Sequence, residues 1–198
     1  MSQRELFETV IVNHRAPEDP QIPQLIEWAA TFAALGFTPS YGPGDHGNLS
    51  CRTPQGLLIT ARATTKANLS VEHFVEVLTV DEQASPPQAD CRGLRLPSTD
   101  TLLHWRVYRV RTDVQAILHG HDPMTLKQAE ALRLPVTTHS AATPSRALID
   151  EACHLAQNHD YIILRDHGFL ALGRSIREAG ALVRQWSLRA TSMMPVAP

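Results

Sequence analysis

The sequence predicts an α/β sandwich built on a mixed, largely antiparallel sheet. Strand-length apolar segments stand side by side with only a turn between them, as in NLSCR and GLLIT (48–52 and 56–60) and in YIILR and GFLALG (161–165 and 168–173). Longer segments with helical periodicity lie between and around these pairs. A doubly wound parallel sheet would instead alternate one strand with one helix.

The first half of the chain is expected to begin with an N-terminal extension, residues 1–21, followed by one domain over residues 22–198. In the extension, ELFETVIV (5–12) is compatible with a strand or a short helix, because so short a run has no decisive periodicity. PQLIEWAATFAALG (23–36) has the pattern of an amphipathic helix closed by glycine. After the NLSCR–GLLIT hairpin we expect a strand at HFVEVLTV (73–80) and a loop at SPPQADCRGLRLP (85–97).

The second half is expected to open with a helix from Thr99 to Arg111, capped by Ser98 or Thr99. Asp122 and Pro123 predict the start of another helix, which would run to about residue 132. The other predicted elements are a strand at VQAILHGH (114–121), a candidate strand at PVTTH (135–139), and helices at SRALIDEACHLAQNH (145–159) and SIREAGALVRQWSLRA (175–190).

Composition indicates one globular domain and argues against several classes of function. Of the 198 residues, 43% are hydrophobic and 19% charged. The net charge of -2 provides no electrostatic attraction to nucleic acid or an anionic membrane. No segment approaches the ~20 apolar residues of a membrane helix, and the N-terminus has no signal-peptide core. Cys51, Cys91 and Cys153 are odd in number and widely spaced, which favours free thiols. We therefore expect a cytoplasmic protein that binds a small molecule, without nucleic-acid or membrane partners.

Three histidines carry the strongest chemical signal. His119 and His121 form an H-x-H pair at the end of a strand, where residues i and i+2 point to the same face. His167 stands between the last two strands, so a turn there would bring it to the same sheet edge. Three histidines with an open fourth position are typical of catalytic zinc sites. If only the H-x-H pattern is considered, the alternative is that His119 and His121 are hydrogen-bonded histidines and not metal ligands.

Asp100 is the candidate acid. It lies at the start of a predicted helix, where a carboxylate either serves chemistry or only interacts with the helix dipole. His104, one turn later, is placed to orient Asp100 or to pack. Asp166 either holds the second nitrogen of His167 or faces solvent, and His139 is a candidate for the border of the cleft.

Five blocks together closely resemble the class II aldolase/adducin family: GNLSCR (47–52), LLIT (57–60), LPSTDTLLH (96–104), RTDVQAILHGH (111–121) and RDHGFLALG (165–173). The resemblance covers roughly residues 22–190. It implies a three-layer α/β/α sandwich and a homotetramer with sites at subunit interfaces. It also implies one divalent metal ion per chain, most often Zn²⁺, with Mn²⁺, Co²⁺ or Fe²⁺ as other options. The site residues that it implies are His119, His121 and His167 for the metal, Asp100 for catalysis, and Asn48, Ser98 and Thr99 for substrate phosphate.

The sequence departs from the family pattern in three places. Ala61-Arg62-Ala63 stands where many members have a P-S/T-G phosphate cradle, so Arg62 is a candidate anion clamp, although it could also fill the cradle or face solvent. Asp45 and His46 stand where small residues are usual. The final residues, TSMMPVAP (191–198), do not match the tyrosine-bearing tail of the sugar-phosphate enzymes.

The function implied by the resemblance is an aldolase-type lyase. Its metal ion acts as a Lewis acid and stabilises an enediolate during C–C cleavage of a small anionic hydroxy-carbonyl compound, while Asp100 transfers protons. Epimerisation, dehydration, decarboxylation or oxidation on the same scaffold is the first alternative. A non-catalytic adducin-like protein is the second, and the three histidines argue against it because an interaction module needs no metal ligands.

Overall fold

The computed structural model describes residues 6–140 and 144–193. Its strands are β1 (Glu8–Asn13), β2 (Asn48–Thr53), β3 (Gly56–Thr60), β4 (Phe74–Asp81), β5 (Gln88–Gly93), β6 (Ala116–Gly120), β7 (Tyr161–Leu164) and β8 (Gly168–Gly173). Its helices are α1 (Ile22–Ala34), α2 (Thr101–Val110), α3 (Pro123–Lys127), α4 (Arg146–Ala156) and α5 (Ile176–Ser192). All eight strands form one sheet in the order β1-β5-β4-β3-β2-β6-β8-β7.

The sheet is the middle layer of a three-layer sandwich. Neighbouring strands pair antiparallel except β1 and β5, which are parallel. Helices α2 and α4 cover one face, and α1 and α5 cover the other. The predicted α/β/α sandwich with a mixed, largely antiparallel sheet is therefore confirmed.

Residue alternation decides which layer each strand residue joins. Leu57 and Ile59 of β3 pack under α2 and α4, whereas Leu58 packs on the opposite face. In β6, Ile117 packs on the α2 side and Leu118 on the other. His119 continues the Ile117 row, because strand residues two apart share a face. The H-x-H pair thus points toward the layer that contains α2.

Several predicted elements need correction. Residues 88–93 form strand β5 rather than a loop; its small buried residues, Ala89 and Cys91, alternate with polar ones and give a weak strand signal. PVTTH makes only an isolated bridge between Val136 and Ile163. Helix α3 ends at Lys127, five residues earlier than expected. The N-cap of α2 is Asp100, rather than Ser98 or Thr99.

The N-terminal segment ELFETVIV contains a strand rather than a short helix. Strand β1 pairs with β5 at the edge of the sheet, and Phe7 is buried in the core beneath α2. The boundary at residues 21 and 22 stays a prediction. Across the described part of the chain, no helix is long and apolar enough to cross a membrane. Residues 194–198 of the TSMMPVAP segment lie outside the described residues.

Candidate functional site

The three predicted histidines converge at the ends of the central strands. His119 is in β6, His121 directly follows β6, and His167 lies in the turn between β7 and β8. Their ring centroids are 4.9 to 5.3 Å apart. One nitrogen from each ring lies within 4.8 Å of those of the other two, so the group can hold a metal ion.

Hydrogen bonds fix the backbone and one ring of this group. The Nδ1 atom of His119 lies 2.8 Å from the carbonyl oxygen of Phe169. Because a carbonyl oxygen only accepts, Nδ1 carries the proton and Nε2 keeps its lone pair for the site. The His121 amide donates to the Phe37 carbonyl at 2.7 Å. His167 follows Asp166, whose φ of 56° closes the β7–β8 turn in the left-handed region that aspartate tolerates.

Two glycines allow the strands to meet at the site. A Cβ on Gly120 would lie 2.9 Å from both the Phe169 and Phe32 rings, so glycine at this position allows both rings to pack against β6. A Cβ on Gly168 would lie 2.5 Å from the Gly120 carbonyl oxygen and 2.8 Å from His119 Cε1. The ring of His119 therefore depends on a glycine directly after His167.

The donor set fits a divalent metal ion. His119 Nε2, His121 Nε2 and His167 Nδ1 are buried and have no hydrogen-bond partner among the described residues. Unpaired buried polar atoms are costly, and a coordinated cation would satisfy all three together. Burial lowers the pKa of His119 and of His121, which favours the neutral imidazole that binds metal.

The carboxylate of Asp100 lies against this group. Asp100 is 5% exposed, and its side chain makes no helix-capping hydrogen bond although the residue occupies the N-cap position of α2. Its Oδ2 accepts a short hydrogen bond from Asn48 Nδ2 and lies 3.7 Å from His119 Nε2. Its Oδ1 is buried without a partner among the described residues. Asp100 is thus directed at the histidines rather than at the helix.

His104 belongs to a separate buried chain. Its Nδ1 lies 2.7 Å from Ser50 Oγ, which in turn lies 2.8 Å from the Tyr108 hydroxyl. Its amide donates to the Asp100 carbonyl at 3.1 Å, but among the described residues its ring makes no hydrogen bond to the Asp100 carboxylate, so the ring does not orient that carboxylate. His139 pairs with Glu151 at 2.9 Å and does not line the cavity, while Asp166 faces solvent.

A cavity of about 530 Å³ opens beside the histidines. Its polar lining includes His121, His167, Asp100 and Asn48. Leu6, Phe7, Tyr41, Pro43 and Pro144 also line it and add apolar surface. The cavity therefore suits a molecule that carries both polar and apolar groups.

The remaining predicted substrate residues also line the cavity. Ser98 is buried and Thr99 exposed at the start of α2. Arg62 lines the cavity while its Nε donates to the Pro97 carbonyl at 3.0 Å. Ala63 has a φ of 53°, the left-handed conformation that glycine adopts readily. The segment thus keeps a glycine-like bend although its glycine is absent.

Lys66 is a cavity residue that the sequence analysis missed. It is 2% exposed, and its Nζ donates to the carbonyl oxygens of Asp45 and Thr64 at 3.0 and 3.2 Å. Burial lowers its pKa to about 8. One signal was present: the chain has only two lysines, Lys66 and Lys127, and otherwise uses arginine.

Known proteins resemble this chain over most of its length. Methylthioribulose-1-phosphate dehydratase of Pseudoalteromonas translucida is 27% identical over 185 residues, covering 79% of this chain and 82% of that protein. The 5-methylthioribulose-1-phosphate/5-deoxyribulose-1-phosphate aldolase of Rhodospirillum rubrum is 26% identical over 171 residues, covering 78% and 72%. L-fuculose-1-phosphate aldolase from Thermus thermophilus shares the fold, with a TM-score of 0.66 at 21% identity over 88% of this chain and 97% of that structure.

The family itself follows from a longer match. The sequence profile of the Class II Aldolase and Adducin N-terminal domain matches residues 24–187, which include all three histidines and Asp100. The implied tetramer and its interfacial sites stay predictions. The extent of the profile match and the shared fold together establish that the chain belongs to the class II aldolase and adducin family.

Proposed function

We propose that the chain is a divalent-metal-dependent lyase that removes water from a small phosphorylated hydroxy ketone with an apolar tail. The observation that carries the proposal is the set of three unpartnered histidine nitrogens beside the buried carboxylate of Asp100. Relatives named as methylthioribulose-1-phosphate dehydratases support dehydration over the C–C cleavage expected from the sequence.

His119, His121 and His167 would hold the ion. Bound there, a divalent cation would supply Lewis-acid polarisation of a carbonyl and its neighbouring hydroxyl group. The ligands are neutral, so they would leave the charge of the ion undiminished. Zinc is the leading candidate because three imidazoles and an open position are its usual catalytic set.

Asp100 would move the protons. In a dehydration, its unpartnered Oδ1 takes the proton from the carbon next to the carbonyl, and the electron pair of that C–H bond forms the new C=C bond. The hydroxyl group on the following carbon leaves with its bonding pair, and with that proton it becomes water. Asn48 holds Oδ2 through its amide and so orients the carboxylate.

Arg62 would anchor the phosphate. Its side chain lines the cavity on the segment that ends in the left-handed Ala63, and Ser98 and Thr99 line the same cavity just before α2. Arg62→Ala should raise KM at least ten-fold with a smaller effect on kcat, because lost anchoring is mainly lost uniform binding. Arg62→Lys keeps the positive charge but loses the paired donors of the guanidinium group, so its KM should lie between those of the wild type and Arg62→Ala. Unchanged KM in Arg62→Ala would show that Arg62 does not anchor the phosphate.

The apolar residues of the cavity lining fit an uncharged tail. Phe7 and Tyr41 are among them. A methylthio or methyl group at the far end of a ketose phosphate would bury apolar area there, which favours binding by about 0.8 kcal/mol per buried carbon.

Aldol cleavage is the second candidate function. The Rhodospirillum rubrum relative is named an aldolase for substrates of the same kind, and the same residues suffice for both reactions. In cleavage, Asp100 would take the proton of a hydroxyl group instead of a carbon-bound proton. The breaking bond is then C–C, and the products are two carbonyl compounds.

The test is a product analysis with 5-methylthioribulose 1-phosphate and zinc- or manganese-loaded protein. Dehydration gives water and an enol that tautomerises to one diketone phosphate, whereas cleavage gives dihydroxyacetone phosphate and methylthioacetaldehyde. His119→Ala should lose both the metal and turnover, while His139→Ala, a change at an exposed histidine outside the cavity, should keep both. Full metal occupancy in His119→Ala, or no product from any phosphorylated ketose, would contradict the proposal.

A further inference from the structure

His46 lines the cavity but takes no part in the histidine group. Its ring centroid lies 4.8 Å from that of Tyr41 and 5.0 Å from that of His121, with interplanar angles of 47° and 38°. The residue is half-buried. None of the described residues hydrogen-bonds to its imidazole, so both ring nitrogens remain for a bound molecule.

The loop that carries His46 is firmly held. The His46 amide donates to the Pro39 carbonyl at 2.9 Å, and the preceding Asp45 accepts from the Lys66 amide at 2.7 Å through Oδ2. Gly44 packs so closely that a Cβ there would lie 2.7 Å from the Cα atom of Ala63. The backbone that carries the imidazole is therefore fixed, and the ring packs against the rings of Tyr41 and His121 before any ligand arrives.

We propose that His46 is a specificity-determining residue that hydrogen-bonds a substrate hydroxyl group not bound to the metal ion. A neutral imidazole has one donor and one acceptor, which matches a hydroxyl group in either direction. His46 lies beside His121, whereas Asp100 lies beside His119, so the two groups serve different parts of a bound molecule. The inference rests on the proposed function, since it requires a polyhydroxylated substrate at the histidines.

A purely packing role for His46 makes different predictions. If the ring only supports His121, then a phenyl ring should replace it fully, and alanine should weaken metal binding. His46→Phe is therefore the decisive variant, because it keeps the aromatic contacts with Tyr41 and His121 and removes both nitrogens. His46→Asn is its counterpart, because it keeps a donor and an acceptor without the ring.

The experiment measures ligand binding by calorimetry in zinc-loaded Asp100→Asn protein, in which turnover is slowed. The probes are 5-methylthioribulose 1-phosphate and its 3-deoxy and 4-deoxy analogues. With His46 present, 5-methylthioribulose 1-phosphate should bind about 3- to 10-fold more tightly than one of the deoxy compounds, the range for one neutral hydrogen bond. His46→Phe should abolish that ratio with zinc content unchanged, and His46→Asn should restore part of it.

Each contrary result has its own meaning. An equal ratio in His46→Phe and in the protein with His46 would overturn the inference and leave the proposed function intact. Loss of zinc in His46→Phe would also overturn it, since His46 would then act on the metal ligand. If the protein with His46 binds none of the three probes, the proposed function and the inference fall together.

Discussion

Gly168 gives the sharpest test of the site geometry. In Gly168→Ala the new Cβ would lie 2.5 Å from the Gly120 carbonyl oxygen and 2.8 Å from His119 Cε1, whereas ordinary contacts begin at 3.4 Å. The difference between 3.4 and 2.5 Å is about 0.9 Å, which β8, β6 and the His119 ring must absorb together. Overpacking of this kind costs about 1–3 kcal/mol of stability.

The same displacement should weaken metal binding. Bonds from zinc to imidazole nitrogen are about 2.0–2.1 Å long and tolerate only about 0.2 Å of error. If the His119 ring moves by even half of the required distance, its nitrogen exceeds that tolerance. We therefore expect the zinc affinity to fall about 10- to 100-fold, the same loss that follows when a group that orients a metal ligand is removed. Turnover at limiting zinc should fall in parallel.

Gly36→Ala is the matched control. Gly36 lies just after α1 with a φ of 74°, and a Cβ there would meet no atom within 4 Å. This variant should lose about 1 kcal/mol from backbone strain and keep its zinc affinity. Chelator competition and denaturant unfolding measure the two quantities for both variants. If Gly168→Ala binds zinc as tightly as the wild type, the reasoning is refuted, because the added Cβ would leave the His119 ring no room in its present position.

Two further predictions concern Asp100 and Lys66. Asp100→Asn should cut turnover by about two to four orders of magnitude with metal content unchanged, since proton transfer is lost while the three histidines remain; unchanged turnover would reduce Asp100 to a helix-terminal residue. Burial lowers the pKa of Lys66 from 10.5 to about 8, so between these pH values the unfolded chain binds more protons and stability rises with pH. Denaturant unfolding at pH 8 and pH 10 measures this rise in the free energy of unfolding. The rise should be about 2–3 kcal/mol larger in the wild type than in Lys66→Met, and an equal rise in both proteins would contradict the prediction.

The sequence predicted the paired strands well because their signals are local. β2 and β3 are apolar runs joined by a tight turn, and nothing distant is needed to recognise them. Strand β5 was missed because it depends on its neighbours. Ala89 and Cys91 are small, polar residues alternate with them, and only pairing with β1 and β4 makes the segment a strand.

The same distinction applies to the candidate site. H-x-H on one strand face and His167 in a turn were predictable, and the structure brings them together; their role as metal ligands stays a prediction. Lys66 was not predictable, because its burial depends on Asp45, 21 residues earlier in the chain. The left-handed φ of Ala63 was also not predictable, because an alanine in the sequence does not indicate that conformation, whereas a glycine does.

The division between strands and loops bears on how one family supports several reactions. Asn48 and His119 are paired residues of the central strands β2 and β6, and His121 and His167 lie at the ends of β6 and β8. Two residues that depart from the family pattern, His46 and Arg62, lie instead on two loops that pack on each other through Asp45 and Lys66. Loops tolerate change better than buried strands. A rigid metal end and a variable substrate end would therefore allow dehydratases and aldolases to share one centre and differ in what the loops present to the substrate.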